Sequence, residues 1–150
     1  MIGLLQRVTG ASVAIEGRET ARIGPGLLVL VAVERDDTPV EAGRLLERLL
    51  NYRVFADAEE RMNLSLMDVG GGLLLVPQFT LAADTGKGLR PGFSMAAAPE
   101  AGRRLFEEFL GLARLRFPGV QAGQFGAHMR VSLVNDGPVT FWIQVPHHGA

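Results

Sequence analysis

The chain has 150 residues, of which 47% are hydrophobic, and its formal net charge is −1. This length can bury a sizeable core, and we expect residues 1–150 to form a single domain. The absence of cysteine excludes disulfide scaffolds, thiol nucleophiles and cysteine-ligated metal sites. The near-neutral charge argues against a protein that binds nucleic acid through bulk charge alone.

Neither a membrane span nor a signal peptide is predicted. The longest apolar run covers residues 27–33, whereas a span needs about 20 residues. The first residues lack the basic region and the long apolar segment of a signal peptide, and they predict a strand instead. We therefore expect a cytoplasmic protein that does not enter a membrane.

Strands are predicted where β-branched and alternating apolar residues recur. The predicted strands are residues 2–8, 11–15, 20–23, 27–33, 53–55, 62–66, 73–76, 129–134 and 139–145. The continuous apolar run 27–33 is typical of a strand buried on both faces. Asn135, Asp136, Gly137 and Pro138 predict a tight turn between the last two strands.

Two helices are predicted. The first begins at Pro39, where Thr38 can act as the N-cap and Glu41 completes a capping box. The second covers residues 99–116, ends before Pro118, and has Leu105, Phe109 and Leu112 on one face. This order of elements predicts an α/β fold with mixed, largely antiparallel sheets and two main helices on one side.

A search for conventional catalytic groups finds little. Of the three histidines, His147 and His148 lie in the last four residues, which predict a frayed, solvated tail. A serine–histidine–aspartate triad would need His128, but the sequence has no nucleophile elbow of the G-x-S-x-G type. No metal-binding or phosphate-binding motif is present. We therefore expect no metal and no cofactor.

Two polar segments nevertheless interrupt the strand pattern. Gln78, Phe79 and Thr80 follow a buried strand and precede a long loop over residues 82–98, so they are placed to form a pocket rim. The alternative is that Phe79 belongs to the core. Gly137 and Pro138 form either an ordinary turn or, with a cis bond, an outward-facing pair of carbonyls; cis bonds occur in only about 5–6% of X-Pro cases.

Together these segments resemble the D-aminoacyl-tRNA deacylase family. The family carries the motifs SQFTL and NxGPVT, which appear here as residues 77–81 and 135–140. Further agreement runs in order through most of the chain, at residues 6–8, 11–13, 26–30, 62–66, 87–88, 90–91, 125–127 and 131–134. The resemblance implies a three-layer β/β/α homodimer that hydrolyses the ester of D-aminoacyl-tRNA, with active sites at the subunit interface.

The resemblance also implies a role for each site residue. Phe79 would contact the terminal adenosine at the 3′ acceptor end of tRNA, beside Gln78 and Thr80. Gly137 and Pro138 would come from the partner subunit as a cis dipeptide braced by Arg7. Their carbonyls would hold the substrate's amino group and exclude L-aminoacyl esters, while glycyl-tRNA would be accepted.

The chain departs from the family at Pro77, which replaces a serine. Proline has no hydroxyl and no N–H, so hydrolysis would depend on Thr80, on backbone N–H groups of residues 78–80 and on the ribose hydroxyl. A decayed nucleic-acid-binding module of the same fold is the alternative. Lys87 and Arg90 are predicted either to bind tRNA phosphates or to be ordinary solvated charges.

Overall fold

The computed structural model describes residues 1–147. Its strands are β1 (Ile2–Ile15), β2 (Arg18–Ile23), β3 (Gly26–Ala32), β4 (Phe55–Ala56), β5 (Met62–Leu64), β6 (Gly72–Pro77), β7 (Val120–Ala122) and β8 (Arg130–Gln144). Its α-helices are α1 (Pro39–Asn51), α2 (Leu66–Val69) and α3 (Pro99–Arg116), and Phe79–Ala82 form a 3-10 helix. Six strands form one mixed sheet in the order β2-β1-β3-β6-β7, with β8 on the other side of β1.

Two long strands replace four predicted shorter ones. β1 is continuous from Ile2 to Ile15; its first half pairs with β3 and its second half with β2, while β8 pairs along its opposite edge. The predicted tight turn over residues 135–138 is therefore wrong. These residues lie inside β8, where the register shifts, because the sheet absorbs the extra residues as a bulge instead of reversing the chain.

Both faces of the central strands are buried, as predicted for the apolar run 27–33. On one face of β3 and β6, alternate residues pack with α1 and α3 in the main core. On the other face, Leu28 and Leu74 pack with residues of β1 and β2 in a second core. The sheet is thus nearly closed around the second core, and α1 and α3 pack on its other face.

The helices follow their predicted start signals more closely than their predicted faces. Thr38 caps α1, and both hydrogen bonds of its capping box with Glu41 are formed, which confirms the prediction. In α3, Leu105 and Phe109 are buried, but Leu112 is 36% exposed. Leu112 therefore does not share the buried face of Leu105 and Phe109 as predicted, because the buried stripe continues from Phe109 to Ala113 four residues later.

Two shorter segments also differ from the predictions. The strand predicted over residues 62–66 ends at Leu64, because Ser65 caps the short helix α2. The predicted frayed tail is wrong for His147, whose Nε2 lies 2.9 Å from Asp37 Oδ1 in a half-buried position. The remainder of that tail, His148 included, lies outside the described residues. No helix within residues 1–147 is long and apolar enough to cross a bilayer.

Candidate active site

The carboxyl end of β6 presents the first motif to solvent. The strand is buried up to Val76, and Gln78 N–H then donates to Val31 O at 2.7 Å, which keeps the chain attached to β3 for one more residue. The 3-10 helix that follows turns Phe79 and Thr80 outward, and Phe79 is 56% exposed. Phe79 therefore does not belong to the core, and the first motif forms an exposed rim.

Hydrogen bonds orient the polar side chains of this rim. The Gln78 side-chain amide Nε2 donates to Thr80 Oγ1, which leaves the Thr80 hydroxyl proton available to donate elsewhere. Residues at the start of a helix have backbone N–H groups that the helix itself does not use. The first motif can therefore offer the N–H groups of Phe79 and Thr80, together with one hydroxyl, to an oxygen atom of a ligand.

Pro77 fits the sheet without the loss of a hydrogen bond to β3. Gln78 N–H points to β3, whereas Gly123 N donates to Leu75 O at 2.9 Å, so the odd-numbered residues of β6 face β7. Residue 77 faces the same side, where β7 has already ended at Ala122. A proline, which has no N–H, is therefore tolerated at this position.

The second motif lies within β8. The Gly137–Pro138 peptide bond is cis, and residues 136–139 have no partners in the ladder with β1 because they lie opposite Arg7 alone. Gly137 has a φ of 137°, and a Cβ added there would lie 2.7 Å from Val139 Cγ2. A side chain at residue 137 would therefore require the segment to move.

Arg7 ties this segment to a neighbouring loop. Its Nε donates to Asp136 O at 3.0 Å and its Nη1 to Val54 O at 2.6 Å, and Nε lies 3.6 Å from Asp136 Oδ2. The Arg7 side chain is mostly buried. One guanidinium thus holds two chain segments at a fixed separation, directly before the dipeptide.

The two motifs are far apart within one chain. Pro77 pairs with Val31, which pairs with Gly3, so the end of β6 is level with Gly3, whereas residues 137–138 are level with Arg7. At normal strand spacings the motifs are separated by about 13 Å along the strands and, across three strand intervals, by about 14 Å. The chain therefore does not bring all the predicted site residues together.

Lys87 and Arg90 lie in a closed surface loop after the 3-10 helix. Asp84 and Gly92 exchange two backbone hydrogen bonds of 2.7 and 3.0 Å at the base of this loop. Both cations are exposed, and neither forms an ion pair within residues 1–147. They are available to an anionic ligand, in the loop that follows the first motif along the chain.

Two contacts near these motifs were not predicted. The Phe93 ring lies against Phe79, with ring centroids 5.1 Å apart, and Phe93 is the only aromatic residue of the long loop. A lone aromatic residue in that loop was the sequence feature from which this contact could have been predicted. Nothing in the sequence indicated that the Val54 carbonyl accepts from Arg7, because this contact joins residues 47 positions apart.

One acidic cluster away from both motifs has the ligand types of a metal site. Glu34, Asp37 and His147 each have a donor atom within 4.8 Å of the others. The Met1 ammonium donates to Glu34 Oε2 and Asp37 Oδ1 at 2.9 and 3.0 Å and so supplies positive charge there. Burial raises the pKa of the Asp37 carboxyl, although hydrogen bonds from Glu34 N–H and the ammonium oppose this effect.

A family model described as D-Tyr-tRNA(Tyr) deacylase matches residues 4–144. The chain is similar to the D-aminoacyl-tRNA deacylase of Nitrosococcus oceani, with 62% identity over 97% of this chain and 94% of that protein. It is also similar to the D-aminoacyl-tRNA deacylase of Azotobacter vinelandii, with 64% identity over 96% of this chain and 99% of that protein.

Two solved structures have the same fold. One, the c-Myc DNA Unwinding Element Binding Protein, has a TM-score of 0.94 and 36% identity, over 98% of this chain and 100% of that chain. The other, described as a probable eukaryotic D-amino acid tRNA deacylase, has a TM-score of 0.78 over 95% of this chain and 98% of that chain; at 20% identity it supports the fold alone. By its family model and its relatives, the chain belongs to the D-Tyr-tRNA(Tyr) deacylase family.

Proposed function

We propose that the protein hydrolyses the ester bond of D-aminoacyl-tRNA and releases the free D-amino acid and tRNA. The observation that carries this proposal is the exposed rim of Gln78, Phe79 and Thr80, which retains the family motif at the end of a buried strand. The relatives that are 62% and 64% identical are both named D-aminoacyl-tRNA deacylase. Since aminoacyl-tRNA is made and used in the cytoplasm, the reaction takes place there.

The chemistry requires stabilisation of a negatively charged oxygen. A water oxygen bonds to the ester carbonyl carbon, negative charge develops on the carbonyl oxygen, and the bond to the ribose 3′ oxygen breaks. The backbone N–H groups of Phe79 and Thr80 stabilise the developing charge, and the Thr80 hydroxyl donates a further hydrogen bond. The neighbouring ribose 2′ hydroxyl accepts a proton from the attacking water and passes its own proton to the departing 3′ oxygen, so no side-chain base is needed.

Gly137 and Pro138 act as the chiral filter in this proposal. The bulge in β8 leaves residues 136–139 without ladder partners, so the dipeptide carbonyls can accept hydrogen bonds from the substrate's α-amino group. An L-side chain would then point into the protein backbone, whereas a D-side chain points away. Glycyl-tRNA, which has no side chain, passes the same filter.

The active site is completed by a second copy of the chain. The two motifs lie about 14 Å apart across three strand intervals alone, which is too far for one amino acid ester to contact both. In a two-fold dimer, each surface is presented to the other subunit. The dipeptide of one subunit then meets the Gln78–Thr80 rim of its partner, and the dimer has two sites.

Lys87 and Arg90 bind phosphates near the 3′ acceptor end of the tRNA. Both are exposed and without an acidic partner in the described chain, and their loop starts two residues after the 3-10 helix. Substitution of both by alanine should reduce the salt dependence of tRNA binding, by about 1.5 in the slope of log K against log salt. Arg61→Ala is the control, because Arg61 is also an exposed cation in another loop; an unchanged slope in the double variant would contradict the phosphate role.

The decisive experiment compares D-tyrosyl-tRNA with L-tyrosyl-tRNA after the protein has been dialysed against a chelator. Release of tyrosine from the D-ester alone is the expected result. Cleavage of both esters would contradict the filter role of Gly137 and Pro138. Cleavage of neither, by a folded protein that binds tRNA, would contradict the proposed reaction.

The second candidate is a nucleic-acid-binding module that has lost hydrolysis. Pro77 in place of the family serine favours it, and one similar structure is named a DNA Unwinding Element Binding Protein. Against it, Pro77 occupies a sheet position where its missing N–H costs no bond to β3. The Gln78–Thr80 hydrogen bond is also retained, so we favour the enzyme.

A further inference from the structure

We infer that Phe93, together with Phe79, forms a two-ring platform on which the terminal base of tRNA stacks, so that Phe93 is a further substrate-binding residue. This inference rests on the proposed function, in which Phe79 contacts that base. Two observations carry it: the ring–ring contact between Phe93 and Phe79, and the exposure that both rings retain.

The two rings are in a specific contact. Their centroids are 5.1 Å apart and their planes are inclined at 53°, within the range in which the edge of one ring meets the face of another. Such a contact restricts the orientation of Phe79, which as an isolated exposed side chain would rotate between rotamers. Because Phe93 limits the rotamers of Phe79 before a ligand binds, less side-chain conformational entropy is lost on binding.

The contact does not bury the rings. Phe79 remains 56% exposed and Phe93 40% exposed, so the pair presents aromatic surface directly beside Thr80. Exposed aromatic surface of this kind is characteristic of proteins that stack single-stranded bases, since every base has a π-face. A nucleobase stacked flat on one ring would meet the other ring at its edge, because the two planes are inclined at 53°, and its ribose would lie near the backbone N–H groups of the first motif.

The backbone fixes Phe93 in this position. Phe93 follows Gly92, which exchanges two hydrogen bonds with Asp84, and Phe93 O accepts from Ala96 N at 3.1 Å. Asp84 in turn comes directly after Ala83, whose N–H donates to Thr80 O at 3.2 Å. The loop that carries Lys87 and Arg90 is thus closed at its base beside the two rings, so phosphate contacts at its tip and base stacking at its base can occur together.

The test compares the affinity of the protein for two acceptor-stem RNA minihelices that carry no amino acid. One minihelix ends in CCA and the other lacks the terminal adenosine. We expect the unmodified protein to bind the CCA minihelix about tenfold more tightly, from stacking of one base. Phe93→Ala should reduce this preference to about twofold or less, with little change in affinity for the shortened minihelix. Phe93→Leu, which keeps an apolar side chain and guards against misfolding, should also lose most of it.

Leu89→Ala is the matched control. Leu89 lies in the same loop and is fully exposed, so its removal should leave the preference unchanged. The inference is overturned if both Phe93 variants keep the preference, or if the unmodified protein shows none.

A hydrolysis assay distinguishes a failure of this inference from a failure of the proposed function. With D-tyrosyl-tRNA, Phe93→Ala should raise KM about tenfold and leave kcat within about twofold. If the unmodified protein hydrolyses the D-ester and Phe93→Ala leaves KM unchanged, only the role of Phe93 is wrong. If the unmodified protein does not hydrolyse the D-ester, the proposed function is wrong, and the minihelix comparison still decides whether Phe93 stacks a base.

Discussion

Arg7 shows how much of this candidate site depends on a single side chain. It is mostly buried and donates to carbonyls of two segments, one of them directly before the dipeptide. A guanidinium can span both carbonyls because its donors diverge in a rigid plane, whereas a lysine ammonium is a single point donor. The geometry of residues 136–138 therefore depends on arginine specifically and not on positive charge alone.

Replacement of Arg7 by lysine should destabilise the protein by about 1–2 kcal/mol, since one buried carbonyl loses its donor. It should also lower the ratio of D-ester to L-ester hydrolysis, because the dipeptide is less firmly held. Urea unfolding and paired deacylation assays measure the two effects. Arg22→Lys is the control: Arg22 also makes two hydrogen bonds, to Glu19, but on an exposed surface where such pairs contribute little. Equal behaviour of the two variants would contradict the bracing role.

Pro77 and Thr80 lie three residues apart, yet we expect opposite sensitivities to substitution. Pro77→Ser should change kcat by less than about threefold, since residue 77 supplies neither a hydroxyl nor an N–H to the proposed reaction. Thr80→Val keeps the shape of the side chain without its hydroxyl and should lower kcat about tenfold, as expected for one hydrogen bond to a developing charge. Steady-state kinetics with D-tyrosyl-tRNA test both; a large gain in kcat for Pro77→Ser would mean that the native site is impaired.

At the scale of elements, local signals were most reliable where a side chain bonds its own backbone. Thr38 and Glu41 form the predicted capping box because both partners lie within one turn. The same device at Ser65 and Asp68 was overlooked, since the apolar residues around Ser65 also match a strand. At Ser65 the strand and cap signals overlap, and the structure has the cap. The cap is favoured because it gives hydrogen-bond partners to backbone N–H groups that would have none at a strand end.

The Ser65–Asp68 cap predicts a pH dependence of stability. Hydrogen bonds from Ser65 N–H, and then from its hydroxyl, hold the pKa of Asp68 below its ordinary value. The cap therefore contributes its full stability above about pH 3.9, the ordinary aspartate pKa in an unfolded chain, and loses it as the pH falls further through the lowered pKa. Asp68→Asn should be less stable than the unmodified protein at pH 7, and the difference should shrink in strong acid; urea unfolding across this range is the measurement. A difference that stays constant with pH would contradict the assignment.

At the scale of the whole molecule, sheet topology decides where the motifs lie. β1 pairs with three strands and carries Arg7 opposite the bulge in β8, whereas β6 ends on the far side of β3. The parallel pairing of β3 with β6 places the first motif at one end of the sheet, whereas the antiparallel pairing of β1 with β8 places the second motif in the middle of β8. This separation is the reason for the proposal that two copies of the chain form one complete site.

A mixing experiment tests this two-chain site. Thr80→Val combined with Gln78→Ala should disable the rim, and Gly137→Ala should disable the dipeptide, because its Cβ would clash with Val139. After denaturation and joint refolding, half of the dimers are hybrid and each hybrid has one intact site, so about a quarter of full activity should return. The control is to mix the two folded variants without denaturation, because slow subunit exchange between dimers would then form few hybrids. If joint refolding restores no activity, the site does not combine the two motifs across subunits.

The sequence by itself determined the starts of α1 and α3, the doubly buried strand β3 and the abrupt change from apolar to polar residues after Val76. These features depend on residues within a few positions of one another, so periodicity and capping rules are sufficient to predict them. Gln78, Phe79, Thr80, Gly137 and Pro138 were also predicted as site residues from the sequence, although through family resemblance and not through their chemistry.

Only the tertiary structure decided that β1 and β8 continue through their irregular segments, because a bulge and a turn have similar local sequences and differ in what pairs on either side. The resemblance implied that Arg7 braces the dipeptide, but only the fold identified Asp136 O, 129 positions away, as its acceptor. Likewise, only the fold brought Phe93 to Phe79 across a closed loop. It also separated the two motifs, since the distance between them follows from strand order and register across four strands. Contacts of this kind depend on the whole chain, and no short segment of the sequence contains the information that specifies them.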